Sequence, residues 1–218
     1  MILLALETST DKRSVAVVRD ATVLAETSHA GGRETPLARL VTEALARADV
    51  QPELIEVLTL GLGPGSYTGI RAAIAFVQGW VLSRPNVRLV GFSSPDACAR
   101  RAWHHGLRGE LRVVVDAQRG EAYVAGYALG SAGVTPAIPL RLASRAEVEQ
   151  LKQENGRLIG PDLLALGLRG TPVWPDASAL AELAAHSKIL SFLPPEQLEP
   201  IYLRATAFVK APPPRHPG

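Results

Sequence analysis

Gly61-Leu62-Gly63-Pro64-Gly65-Ser66-Tyr67-Thr68-Gly69-Ile70-Arg71 joins two stretches of different character. Residues 57–60 before it are an apolar run suited to a buried strand, and residues 72–82 after it are apolar over a length suited to a helix. A glycine-rich turn between strand and helix has a definite physics. Glycine tolerates positive φ and close backbone approach, Pro64 fixes one φ, and Ser66 or Thr68 can cap the helix. The free N–H groups at that helix start, at the positive end of its dipole, can hold an anion, with Gly63, Gly65 and Ser66 at the cradle. The same glycines serve equally well as a tight turn that lets the helix pack closely on its sheet. The familiar phosphate loops do not fit: no lysine lies between Arg13 and Lys152, and Ser66 or Thr68 stands where a dinucleotide fingerprint needs its third glycine.

On the N-terminal side, residues 1–6, 14–18 and 23–27 read as three antiparallel strands, with the hydroxyl-rich turn Glu7-Thr8-Ser9-Thr10-Asp11 after the first. Thr8 and Ser9 can hydrogen-bond a phosphate or their own backbone. Pro36 suits the first turn of a helix, and Leu37, Leu40, Val41, Ala44, Leu45 and Ala48 follow at helical spacing. On the C-terminal side come a strand at 88–92, a helix from Ser93-Ser94-Pro95 to about His105, and a second hairpin at 111–115 and 122–129 around Asp116-Ala117-Gln118-Arg119-Gly120-Glu121. That hairpin echoes the first, as a duplicated half would. Residues 130–139, rich in Gly, Pro and Ala, read as a surface loop. Shorter units follow: a helix to Gln153, a strand at 157–159, a helix after Pro161-Asp162, a strand at 171–174, a helix at 179–190 and a disordered tail at 211–218. Helices alternating with strands after an antiparallel start predict an α/β fold with mixed sheets.

With 47% hydrophobic and 20% charged residues, the 218-residue chain is ordinary for a globular protein, as one large domain or two lobes. No apolar run approaches the roughly 20 residues of a membrane helix, and the N-terminus starts directly with a strand, which predicts a soluble cytoplasmic protein. The lone Cys98 excludes an internal disulfide and reads as a small helix residue. Net charge is only +2, and the basic run from Arg100 to Arg108 reads as a solvated helix end. His29, His104, His105, His186 and His216 include no i, i+4 pair, so no metal cage is predicted. Ser66 is not in a nucleophile elbow. Glu7 and Asp116, each at a strand end, read either as working carboxylates or as solvated turn acids.

Four segments resemble, in order, those of the TsaB (YeaZ) family: Ala5 to Thr10, Gly61 to Arg71, Asp116 to Tyr123, and Glu199-Pro200-Ile201-Tyr202-Leu203-Arg204. The resemblance implies two lobes of the actin-like ATPase (ASKHA) fold on ribonuclease-H-like sheets, residues 1–105 and 106–210, the second lobe reduced. It also implies a non-catalytic subunit in making threonylcarbamoyladenosine beside the anticodon of tRNAs, with no metal site and no catalytic residue of its own. Implied partners are the catalytic paralogue TsaD, the ATPase TsaE, tRNA through the complex, and a second copy as a homodimer. No cofactor is implied as tightly bound, with ATP or ADP and Mg placed at a subunit boundary. The helices 36–48 and 70–82 would meet the paralogue, with Leu37, Leu40, Val41, Ile74 and Val77 as contacts. Glu7 stands where many relatives carry Asp, and Arg33-Glu34-Thr35 where many carry a His, both against autonomous ATP hydrolysis. The alternative is an ATPase or small-molecule kinase of the same fold, with Thr8, Ser9 and Gly65 around phosphate and Asp116 near Mg²⁺.

Overall fold

A computed structural model describes residues 1–31, 37–153, 157–186 and 192–204; Arg33-Glu34-Thr35, Pro36, residues 187–190 and the tail lie outside the described residues. The chain runs β1 (Ile2–Glu7), β2 (Lys12–Arg19), β3 (Thr22–Ala30), α1 (Leu37–Ala48), β4 (Val57–Gly61), α2 (Tyr67–Ser83), β5 (Arg88–Phe92) and α3 (Ser94–His104). It continues with β6 (Gly109–Asp116), β7 (Ala122–Gly130), β8 (Gly133–Ala143), α4 (Arg145–Gln153), β9 (Leu158–Gly160), β10 (Thr171–Pro172) and α5 (Ala177–His186). The two sheets have one strand order, β3-β2-β1-β4-β5 and β8-β7-β6-β9-β10. In each, the central strand pairs antiparallel with the strand after it and parallel with the one beyond the first crossover helix. The echo between hairpins is therefore a duplication of the ribonuclease-H-like sheet in an actin-like, two-lobed α/β fold.

In the first sheet, β1 and β4 are apolar at nearly every position because both their faces are covered, as are residues 113–115 of β6 in the second. Leu4 and Leu6 of β1 pack with α1 and α2 in one core, while Leu3 and Ala5 pack with Ala177, Leu180, Ala181 and Ala184 of α5 in another. Thus α5, from the second half of the chain, closes the first sheet. Reciprocally, Cys98, Ala99 and Ala102 of α3 pack on Val113, Val115 and Ala125 of the second sheet. The sequence boundary at residue 105 falls at the end of α3, but in space α3 and α5 are exchanged between lobes. Alanine-rich faces permit this close helix-on-sheet approach, and the exchanged helices join through Arg100–Glu182, His104–Glu182 and Arg101–Asp176.

Two expectations for the second lobe are corrected. Residues 133–143 are strand rather than loop: β8 is an edge strand paired only with β7, where Pro136 and Pro139 withhold no ladder bond from a second neighbour, and its register slips between Val124 and Tyr127. After Pro161 there is no helix; residues 163–167 form turns that bury Leu163 and Leu166 against β9, while β10 keeps only two residues. The second lobe is the reduced one. Among the described residues no helix is long and apolar enough to cross a membrane.

The exchange makes a quantitative claim. Leu180 is fully buried against the first sheet, so Leu180→Ala should cost about 2–5 kcal/mol in urea unfolding, as for a core leucine, whereas a peripheral helix would lose under about 1 kcal/mol.

Candidate functional site

Glu7 is the last residue of β1 and is fully buried, which corrects the reading of a solvated turn acid. Its Oε1 accepts the Ser9 N–H (2.7 Å) and its Oε2 the Ser94 hydroxyl (3.0 Å). A Cβ on Gly61 would lie 2.1 Å from Oε2, so glycine at the end of β4 is what leaves room for the longer acid. Burial pushes the Glu7 carboxyl above the usual carboxylate range, against the opposing hydrogen bonds of Ser9 and Ser94. Ser94 also donates its N–H to Gly63 O (2.8 Å), so this acid sits where the first sheet, the glycine turn and α3 meet.

The glycine turn folds onto the first turn of the chain. A Cβ on Gly65 would stand 2.2 Å from Ser9 O, and one on Gly69 2.1 Å from Thr8 O. Ser66 donates its N–H to Ser9 O (2.6 Å) and its hydroxyl caps α2 by accepting the Gly69 N–H (3.2 Å). Thr8 spends its hydroxyl on Gly69 O (2.9 Å). Of the two uses open to these glycines, the close approach is to the chain's own backbone.

The turns at the strand ends of both sheets line a cleft of about 510 Å³. Ser9, Gly65, Ser66 and Asp116 border it, whereas Thr8 and Gly63 do not. Facing them are Asp11, Asp162, Tyr67, Tyr123 and Tyr202. Asp116 accepts the N–H (2.7 Å) and the side-chain amide (2.9 Å) of Gln118. Burial raises the Asp162 carboxyl, and the negative charges of Asp116 and Asp11 add to the shift. Among the described residues no lysine or arginine lines the cleft, and no three His, Cys, Asp or Glu side chains converge as metal ligands. The Thr8 hydroxyl and the Ser66 N–H are committed internally, the Ser9 hydroxyl is buried without a partner among the described residues, and the charged side chains lining the cleft are those of Asp11, Asp116 and Asp162.

The expected partner contacts are also placed differently. Leu37, Leu40, Val41, Ile74 and Val77 are all buried in the first lobe's own core, at 0–9% exposure, because the apolar stripes of α1 and α2 face their sheet. The outward faces are made by Ala38, Arg39, Thr42, Ala46 and Arg47 on α1 and by Tyr67, Thr68, Arg71, Ala72, Ala75, Gly79, Leu82 and Ser83 on α2. The basic run at the end of α3 is largely consumed locally: Arg100 and Arg101 pair with acids of the α5 region, and Arg108 donates to the carbonyls of Trp103 and Leu107. Arg71 donates to the Tyr202 hydroxyl (3.0 Å) and lies over the Tyr67 ring. Sequence reading missed Asp11, Asp162, Tyr202 and Arg204 as neighbours of the cleft. The signal was present in part, since Asp11 and Asp162 lie in the turns after β1 and β9 as Asp116 lies at the end of β6, and Tyr202 and Arg204 lie in a quoted motif.

Residues 33–171 match the model of a family described as TsaD, tRNA N6-adenosine threonylcarbamoyltransferase. The chain is 29% identical over 223 residues to the tRNA threonylcarbamoyladenosine biosynthesis protein TsaB of Escherichia coli (strain K12), an alignment covering 94% of this chain and 95% of that one. It is 27% identical over 160 residues to the protein of the same name from Bacillus subtilis (strain 168), covering 71% and 68% respectively. The solved structure of YeaZ from Pseudomonas aeruginosa superposes with a TM-score of 0.75 at 24% identity, over 93% of this chain and 99% of that one, and has the same fold.

Glu7 supplies a test of the buried site. Its raised folded-state pKa means that the folded form holds its proton after the unfolded chain has released it, so the wild type loses stability as pH rises from the ordinary glutamate pKa through the folded value. Glu7→Gln lacks this loss. In urea titrations at about pH 4 and about pH 7, the stability of Glu7→Gln relative to wild type should move in favour of the glutamine as pH rises; a constant difference would show that Glu7 titrates normally.

Proposed function

From the premise that the chain belongs to the TsaD family, among its TsaB (YeaZ) members, we propose that it is a non-catalytic partner subunit in tRNA threonylcarbamoyladenosine biosynthesis. It pairs with a TsaD-type threonylcarbamoyltransferase, recruits the ATPase TsaE and meets tRNA through the assembled complex in the cytoplasm. The carrying observation is the cleft. Where an actin-like ATPase would hold phosphates, this chain has internally bonded Thr8 and Ser66, backbone carbonyls against Gly65 and Gly69, and the carboxylates of Asp11, Asp116 and Asp162 with no cationic side chain among the lining residues. Among the described residues neither a phosphoryl-transfer site nor an activated nucleophile is assembled. Nucleotide turnover accordingly belongs to the partners.

Docking is assigned to the outward faces of α1 and α2, which lie side by side on the first sheet. Ala38 and Ala46 on α1 and Ala72, Ala75 and Gly79 on α2 allow the close helix–helix approach of a bundle interface, Arg39, Arg47 and Arg71 flank them, and Leu82, 88% exposed, supplies an apolar anchor. A long charge on that face should break the contact without touching the core. Ala75→Arg is expected to weaken association with the threonylcarbamoyltransferase of the same organism at least about tenfold, roughly 1.4 kcal/mol, in a calorimetric titration, with thermal unfolding unchanged. Leu40→Glu should instead unfold the first lobe, because Leu40 is core. Unaltered affinity for Ala75→Arg removes α2 from the interface, and ATP turnover by the isolated chain overturns the non-catalytic assignment.

A further inference from the structure

After α5 the chain returns along the first lobe. Leu193 donates its N–H to Leu89 O on β5 (2.9 Å), Gln78 of α2 donates to Pro195 O (2.9 Å), Leu198 is buried in the first lobe's core, and Ile201 donates its N–H to Leu62 O (2.9 Å). Pro200, Ile201 and Tyr202 then border the cleft. Two residues further on, Arg204 reaches the second lobe, donating to Ala117 O (2.9 Å) and pairing with the Glu121 carboxylate. A single segment thus starts on one lobe, crosses the cleft's mouth and ends on the other.

Its two anchors differ in kind. On the first lobe it is held by backbone hydrogen bonds and a buried leucine. On the second, among the described residues, it is held by one side chain, on a turn built to receive it. Gln118, Arg119 and Gly120 have φ of 65°, 62° and 77°, a left-handed run that non-glycine residues adopt only where their surroundings enforce it. Ala117 N–H to Glu121 O (3.1 Å), Gln118 N–H to Asp116 Oδ1 (2.7 Å) and Arg145 to Arg119 O (2.9 Å) close that turn, so that Ala117 O and the Glu121 carboxylate stand as fixed acceptors. The pair is a third exposed on each side, and such ion pairs contribute little to global stability.

We propose that residues 192–204 are a strap that holds the cleft at its present width, with Arg204 as the releasable end. Releasing Arg204 leaves the strap on the first lobe and lets the lobes part about their exchanged helices. The proposal does not depend on the partner-subunit reading, since it concerns the chain alone. Double electron–electron resonance on the full chain tests it, with nitroxides on Ala46→Cys and Gln150→Cys, exposed positions of α1 and α4; Cys98, 1% exposed, stays unlabelled. Arg204→Met should shift the distance distribution to longer and broader values while thermal unfolding is unchanged, and Glu121→Gln should shift it in the same sense from the other side. Distributions superposing on the parent's in both folded variants would overturn the strap. Should Arg204→Met fail to fold, the Glu121→Gln distribution decides alone.

Discussion

The carbonyl oxygens of Thr8 and Ser9 stand where β-carbons on Gly69 and Gly65 would have to be. Everything around the cleft follows from that approach. With no side chain in between, the start of α2 sits against the turn after β1, Ser66 reaches back to Ser9 O, and Thr8 reaches forward to Gly69 O. One amide of the loop, that of Ser66, is thereby bonded to the chain's own backbone. Gly61 extends the same constraint inward, because its bare Cα is what admits the Glu7 carboxyl between β1, β4 and Ser94.

A second constraint is the exchange of α3 and α5. Each sheet buries both faces, yet each half of the chain supplies covering helices for one face and hands its last helix to the other half. The lobes are consequently joined through a small-residue helix layer and its ion pairs, and the cleft opens at the opposite side, at the carboxyl ends of the central strands, where open α/β sheets place their ligand crevices. The chemistry left in that crevice is aromatic and acidic. Its mouth is crossed by a segment rooted in one lobe and gripped by the other through Arg204.

Much of this was legible. The strand at 88–92, the hairpin on either side of Asp116, the cap at Ser66 and the duplication of the sheet all rest on local signals: apolar runs, hydroxyls at helix starts, polar turns. Where reading failed, a non-local fact intervened. Residues 130–139 look like loop by composition, but an edge strand tolerates the prolines that a central strand refuses. The leucine and valine stripes of α1 and α2 suit a partner or a core equally well, and only the sheet beneath them decides which. Glu7 reads as a turn acid because nothing beside it in sequence predicts that Ser94 and Gly61 will enclose it.

By itself, the sequence determined the elements, their alternation, the duplicated pattern and the motif order that identifies the family, since each depends on periodicity and on residues within a few positions of one another. Only the tertiary structure decided which lobe each helix covers, that Gly65 and Gly69 lie against the backbone of Ser9 and Thr8, that the candidate interface leucines lie in the core, and that Arg204 meets Glu121. Those outcomes turn on pairs of groups tens to more than a hundred residues apart, whose meeting is set by the summed burial of both sheets and by no local preference of the residues concerned.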